Sequence, residues 1–139
     1  VNLLTQNRRF PRQGGLGGQQ MIRVPIEDRA GGIPVVAVTF NGNQRFPMLL
    51  DTGASITTIT PAMARALRFR QEDTIEVQLA SGQSHKVPVG RIPSINVGGY
   101  VIDNFEVAVT ESPLLGQNFY SRFNMTIREN FVFLRPKLR

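Results

Sequence analysis

The tripeptide Asp51-Thr52-Gly53 joins an acid, a small hydroxyl residue and a glycine at the end of the apolar run Met48-Leu49-Leu50. A strand that ends this way carries a carboxylate out onto a tight turn. Glycine has no Cβ and lets a second backbone come close to the acid, while the threonine hydroxyl can donate or accept within the turn. Read without further context, a lone carboxylate so placed is an ordinary Asx-turn. Read as chemistry, it is a general acid or base, work that carboxylates usually do in pairs whose ionisation is pushed apart.

No second copy of the pattern exists in the chain. Asp28 is followed by Arg29, Asp73 by Thr74-Ile75 and Asp103 by Asn104, none with a hydroxyl residue and then glycine. A paired mechanism therefore needs a second chain, as a homodimer whose two-fold axis passes between the two Asp51 carboxylates. The residue inventory narrows the alternatives. Cysteine is absent and His85 is the one histidine, which excludes disulfides, Cys-ligated metals and thiol nucleophiles and a multi-His metal site within one chain. No metal and no cofactor are expected, and His85 reads as a solvated side chain.

The elements that must position Asp51 read as short strands. Ile75, Val77 and Leu79 alternate along Thr74–Leu79, and the same period recurs in Phe105–Val109. The apolar runs Val35–Val38 and Met48–Leu50 are expected to be strands buried on both sides. Asn41-Gly42-Asn43 between them is a hairpin signal, and Ser81-Gly82 and Gly98-Gly99 mark further turns. Helix is scarce: Thr60-Pro61 supplies an N-cap and a first-turn proline for a helix to about Leu67, and a second is expected from Gln117 to about Arg122. Met125–Arg128 and Phe131–Arg135 read as strands around Glu129-Asn130. The sum is an all-β domain of roughly eight to ten short strands with one or two short helices.

Charge divides the 139-residue chain. Its formal net charge is +6, yet Arg8, Arg9, Arg12 and Arg23 precede residue 24 and Arg135, Lys137 and Arg139 close the chain, so the stretch between is nearly neutral. The Gly- and Gln-rich run 13–20 reads as a flexible linker. The domains expected are therefore a basic arm over 1–20, a folded domain over 21–135 and a basic tail over 136–139. Hydrophobic residues make up 41%, enough for a core. No apolar stretch approaches the roughly 20 residues of a membrane helix, so membrane anchoring is expected only through segments outside this chain. Arg65, Arg68 and Arg70 read as a solvated face and the aromatics as core, so no specific nucleic-acid partner is expected. Asn124-Met125-Thr126 matches a glycosylation acceptor by chance. The residues point to no cell compartment.

The segment Phe46–Ser55 resembles the active-site strand and loop of retropepsin-type aspartic proteases. Downstream, Pro113-Leu114-Leu115-Gly116-Gln117-Asn118-Phe119 is similar to the two hydrophobics, glycine and short helix that follow near the end of that domain. Gln78–Ser84 falls between the two, where the family places its flap. The likeness covers about residues 34–134, and Ile56–Pro61 is closer in character to bacterial and cellular members than to viral ones. It implies a small β-barrel of the retropepsin type that functions as a homodimer, with protein or peptide as substrate. It also implies that Asp51 is the catalytic acid/base, that Thr52 bonds across the dimer axis, and that Gly53 admits the substrate backbone. Ala54 and Ser55 would contact substrate, with Ser55 standing where viral relatives often have aspartate. Ala80, Ser81, Gly82 and Gln83 would form the flap tip, without the aromatic residue of pepsin-like flaps. Leu49, Leu50, Leu114 and Leu115 would be core around the dyad.

Three functions follow in order of support. One is a dimeric aspartic endopeptidase. Another is a retropepsin-like dimerisation and peptide-binding module with little or no proteolytic activity. A third, a binder of nucleic acid or anionic membranes, has only the charged ends in its favour. The Gly-rich arm is also a candidate processing region.

Overall fold

The computed structural model describes residues 20–78 and 81–137. Within them the order is β1 (Ile22–Pro25), β2 (Asp28–Ala30), β3 (Ile33–Phe40), β4 (Gln44–Leu50), β5 (Thr58–Ile59), α1 (Pro61–Ala66), β6 (Arg70–Gln78), β7 (Ser84–Val97), β8 (Tyr100–Val109), β9 (Leu114–Leu115), α2 (Gln117–Tyr120), β10 (Phe123–Ile127) and β11 (Phe131–Pro136). The strands outnumber the roughly eight to ten expected, because β2, β5 and β9 are two or three residues long and too short to show alternation. Most of the expected arm and the last residues of the tail lie outside the described residues, as do Leu79 and Ala80.

Eight strands form one sheet in the order β2-β3-β4-β9-β5-β8-β7-β6. β3 also pairs with β7, Thr39 opposite Asn96 and Phe40 opposite Ile95. That pairing closes β3, β4, β9, β5, β8 and β7 into a barrel and leaves β2 and β6 as its edges. A smaller antiparallel sheet, β1-β11-β10, holds both ends of the described chain together. β1 and β11 pair within the chain, from Ile22 with Leu134 to Pro25 with Phe131. The fold is thus mostly β with two short helices, as the sequence led one to expect.

Local signals account for much of this. The Asn41-Gly42-Asn43 turn joins β3 to β4, with the Asn43 amide donating to the Phe40 carbonyl at 3.1 Å. Thr60 caps α1 by accepting from the Met63 amide at 3.2 Å, and Pro61 opens the helix. The helix runs to Ala66 with Leu67 as its C-cap, as expected, and Arg65, Arg68 and Arg70 are all exposed, though only Arg65 lies on the helix. α2 stops at Tyr120, short of the Arg122 expected.

A barrel has a single filled interior, so strands within it have unequal faces. Val36, Val38 and Phe40 of β3 are buried while Val35, Ala37 and Thr39 are half-buried. The expectation of burial on both sides holds for one side of β3 and, by the same alternation, of β4. The small sheet shares the barrel's core through Val24, Phe123, Val132 and Leu134. The Phe123 ring lies 4.9 Å from Tyr100 and 5.0 Å from Phe119 of α2. Burying Phe119 completely is worth about 1.5–3 kcal/mol, which anchors a helix too short to form by itself. Arg23, one of the basic residues near the amino end, stacks its guanidinium 4.7 Å from the Phe131 ring centre. Among the described residues no helix is long and apolar enough to cross a membrane.

Candidate active site

β4 and β9 run parallel, Leu49 beside Leu114 and Leu50 beside Leu115. The next residue of each strand leaves the sheet, so Asp51 and Gly116 emerge side by side. Leu50 and Leu115 point into the core, while Leu49 and Leu114 are half-buried on the other face. The Asp51 amide donates to the Leu115 carbonyl at 3.2 Å, and the Ala54 amide returns to the Asp51 carbonyl at 3.2 Å. The Gly53 amide donates to Asp51 Oδ1 at 2.9 Å. This is the Asx-turn that the tripeptide suggested. Asp51 and Ala54 are half-buried, whereas Thr52, Gly53 and Ser55 are exposed. The loop therefore holds its carboxylate firmly and keeps its outer edge open to whatever approaches.

Gly116 fits behind this loop only because it lacks a side chain. A Cβ there would stand 2.7 Å from the Ile56 carbonyl oxygen and 2.9 Å from that of Ala54, closer than atoms pack. The contact lets the Gln117 amide reach the Ala54 carbonyl at 2.8 Å. Thr57 and Thr58 are the buried polar residues of the described chain, and Thr57 fastens the loop. The Thr57 hydroxyl accepts from the Gly116 amide at 3.1 Å and donates to Asn118 Oδ1 at 2.7 Å. Asn118 Oδ1 also accepts from the Thr57 amide at 2.8 Å, and its Nδ2 donates to the Glu106 carbonyl at 2.8 Å. The Thr58 hydroxyl donates to the Ser112 carbonyl at 2.6 Å.

On its other side the loop is held from α2. The Tyr120 hydroxyl donates to the Thr52 carbonyl, which also accepts from Gln117 Nε2 at 3.4 Å. Burial raises the Tyr120 phenol above its ordinary value of 10.0; a hydrogen bond with the Gln117 side chain opposes this, and the nearby negative charge of Asp51 adds to it. Sequence reading passed over Thr57, Gln117, Asn118 and Tyr120 as functional residues. The legible signal was Gln117 and Tyr120 three apart, the spacing that puts two helical side chains on one face.

The remaining candidates lie elsewhere. Ser81, Gly82 and Gln83 form the exposed turn between β6 and β7, with the Gln83 amide donating to Ser81 Oγ at 3.4 Å. Ala80 lies outside the described residues. His85 is exposed on β7. Among the described residues no three His, Cys, Asp or Glu side chains gather as metal ligands.

A family model for aspartyl proteases matches residues 36–119, from β3 through Phe119. The structure is similar to that of a retropepsin-like aspartic protease from Rickettsia conorii, with a TM-score of 0.63 and 20% sequence identity over 83% of this chain and 91% of that one. At that identity the likeness speaks for the fold, which is of the retropepsin type. No protein of curated function is significantly similar in sequence.

Proposed function

The chain belongs to the aspartyl protease family, and we propose that it is a homodimeric endopeptidase whose catalytic dyad is Asp51 and its symmetry mate. The observation that carries this reading is the setting of the carboxylate: half-buried, held at Oδ1 by the Gly53 amide, on a loop whose outer edge is open. In the dimer the two carboxylates approach to about 3 Å and share one proton, since like charges so close do not both ionise readily. The ionised member takes a proton from water. That water attacks the scissile carbonyl, which the protonated member polarises, and the proton passes on to the leaving amine.

In this reading Thr52 bonds across the axis and Gly53, Ala54 and Ser55 meet the substrate backbone. The β6–β7 hairpin closes over the substrate, with Ser81 to Gln83 at its tip. The domain over 21–135 carries the chemistry, and the basic arm and tail steer or tether.

The test is cleavage of a peptide library between about pH 4 and 7, beside Asp51→Asn and with a transition-state-mimicking inhibitor of aspartic proteases. Cleavage by the native chain, blocked by the inhibitor and lost in Asp51→Asn, is expected. Specific activity should rise with protein concentration through the range where sedimentation detects dimers. Equal cleavage by Asp51→Asn would sink the mechanism, and a fully active monomer would sink the shared dyad. A dimer that binds the library without cutting it would favour a peptide-binding module.

A further inference from the structure

The Tyr120 hydroxyl and the Asp51 carboxylate are joined through one peptide group. Tyr120 donates to the Thr52 carbonyl, and the nitrogen of that same peptide, Gly53 N, donates to Asp51 Oδ1 at 2.9 Å. An amide whose oxygen accepts a hydrogen bond is polarised, and its N–H becomes the stronger donor. A hydrogen bond received by a carboxylate favours its ionised form. We propose that Tyr120 is a positioning residue that acts on Asp51 through the Thr52–Gly53 peptide, orienting the carboxylate and setting the pH at which the dyad takes up its second proton. This rests on the dyad reading above.

The surroundings suit the role. Gln117 Nε2 reaches the same Thr52 oxygen at 3.4 Å, so the carbonyl has donors from two side chains on one face of α2. Tyr120 is half-buried and Thr52 exposed, so the bond lies at the open edge of the loop. Other charged residues of the described chain also meet α2. Glu106 of β8 meets α2 through its main-chain carbonyl. Arg122, beyond the end of α2, directs its Nε to the Asn118 carbonyl at 3.1 Å. Among the described residues Asp51 is the charged group that acts on the phenol, and its negative charge disfavours tyrosinate there.

The experiment compares the native chain, Tyr120→Phe, the chain with 3-fluorotyrosine placed only at position 120, and Asp51→Asn. Substrate is a peptide that the native chain cleaves. In Tyr120→Phe, kcat should fall about 3- to 10-fold with KM nearly unchanged, and the acid limb of the kcat profile should move up by about half a pH unit. Fluorotyrosine, a stronger donor of nearly the same shape, should move that limb down. Acid limbs that superimpose across the folded variants would overturn the relay, whatever the rates. Should Tyr120→Phe fail to fold, the fluorotyrosine chain decides alone, by a shifted or an unmoved limb. Tyrosinate absorbance gives a readout apart from activity: the Tyr120 phenol should ionise at lower pH in Asp51→Asn than in the native chain, and an unchanged titration would overturn the coupling. An inactive Asp51→Asn beside unmoved limbs defeats only the relay, whereas full activity of Asp51→Asn defeats the dyad itself.

Discussion

Asn118 and Thr57, 61 residues apart in the chain, are joined by two hydrogen bonds to a single oxygen: Asn118 Oδ1 accepts from the Thr57 amide at 2.8 Å and from its hydroxyl at 2.7 Å. The hydroxyl is buried and accepts in turn from the Gly116 amide. One small side chain therefore ties the start of α2 to the chain that leaves the Asp51 loop.

Thr57→Val should expose how much that tie contributes. Valine keeps the shape but leaves the Gly116 amide without its acceptor and Asn118 Oδ1 with one donor fewer. Each buried group left unmatched costs about 1–3 kcal/mol. Urea unfolding should show a loss of about 2–4 kcal/mol, while Thr57→Ser, which keeps the hydroxyl, loses about 1 kcal/mol for the buried methyl. Equal losses in the two variants would remove the hydrogen bonds from the explanation.

Gly116→Ala tests the close approach behind the loop. The new methyl meets backbone oxygens at 2.7 and 2.9 Å, and backbone cannot swing aside as a flexible side chain can. Destabilisation of about 1–3 kcal/mol is expected, together with a fall in peptide cleavage larger than that loss of folded protein explains. Unchanged cleavage per folded molecule would mean that Asp51 keeps its geometry when its neighbour moves.

Tyr120 sets a pH dependence of stability. Its phenol is raised above the ordinary value by burial and by Asp51, so the folded chain holds the proton more tightly than the unfolded chain does. The resulting stabilisation is fully present below about pH 10, the unfolded value, and is lost as pH rises through the folded value. Denaturant melts from about pH 8 to 11 should show a decline that is shallower in Tyr120→Phe. A parallel decline in both proteins would assign the effect to other groups.

The proposed flap makes its own prediction through Gly82. This residue adopts φ +90° in the β6–β7 turn, with open space around the position a Cβ would take. Gly82→Ala therefore meets backbone strain and no clash, a cost of roughly 1–2 kcal/mol confined to an exposed hairpin tip. Thermal unfolding of the barrel should change little, and kcat/KM for a peptide should fall several-fold. A kcat/KM equal to that of the native chain would mean that the tip does not close on substrate.

Much of this architecture was legible in the residues. Asn41-Gly42-Asn43, Thr60-Pro61 and the alternation in Phe105–Val109 mark a hairpin, a helix start and a strand because each signal is local. β7 was not legible, since Pro88, Gly90 and Pro93 interrupt its 14 residues and its pairing with β6, β8 and β3 overrides weak propensity. The two-residue strand β5 was illegible too, and β9 was legible only through the family resemblance of Leu114-Leu115: both are strands only because their neighbours are.

The same division runs through the candidate site. By itself the sequence determined that one acid stands in the Asp51-Thr52-Gly53 context and that these 139 residues hold no second copy, which is what the proposed pairing of two chains starts from. Those are statements about residue identity and order, which need no coordinates. Only the tertiary structure decided what holds that acid in place. The parallel register of β4 and β9 sets Gly116 behind the loop, Thr57 fastens to Asn118, and Tyr120 meets the Thr52 carbonyl across 68 residues of chain. Such contacts depend on which strands lie side by side, and pairing between distant segments is settled by the closure of the barrel core, not by any local pattern.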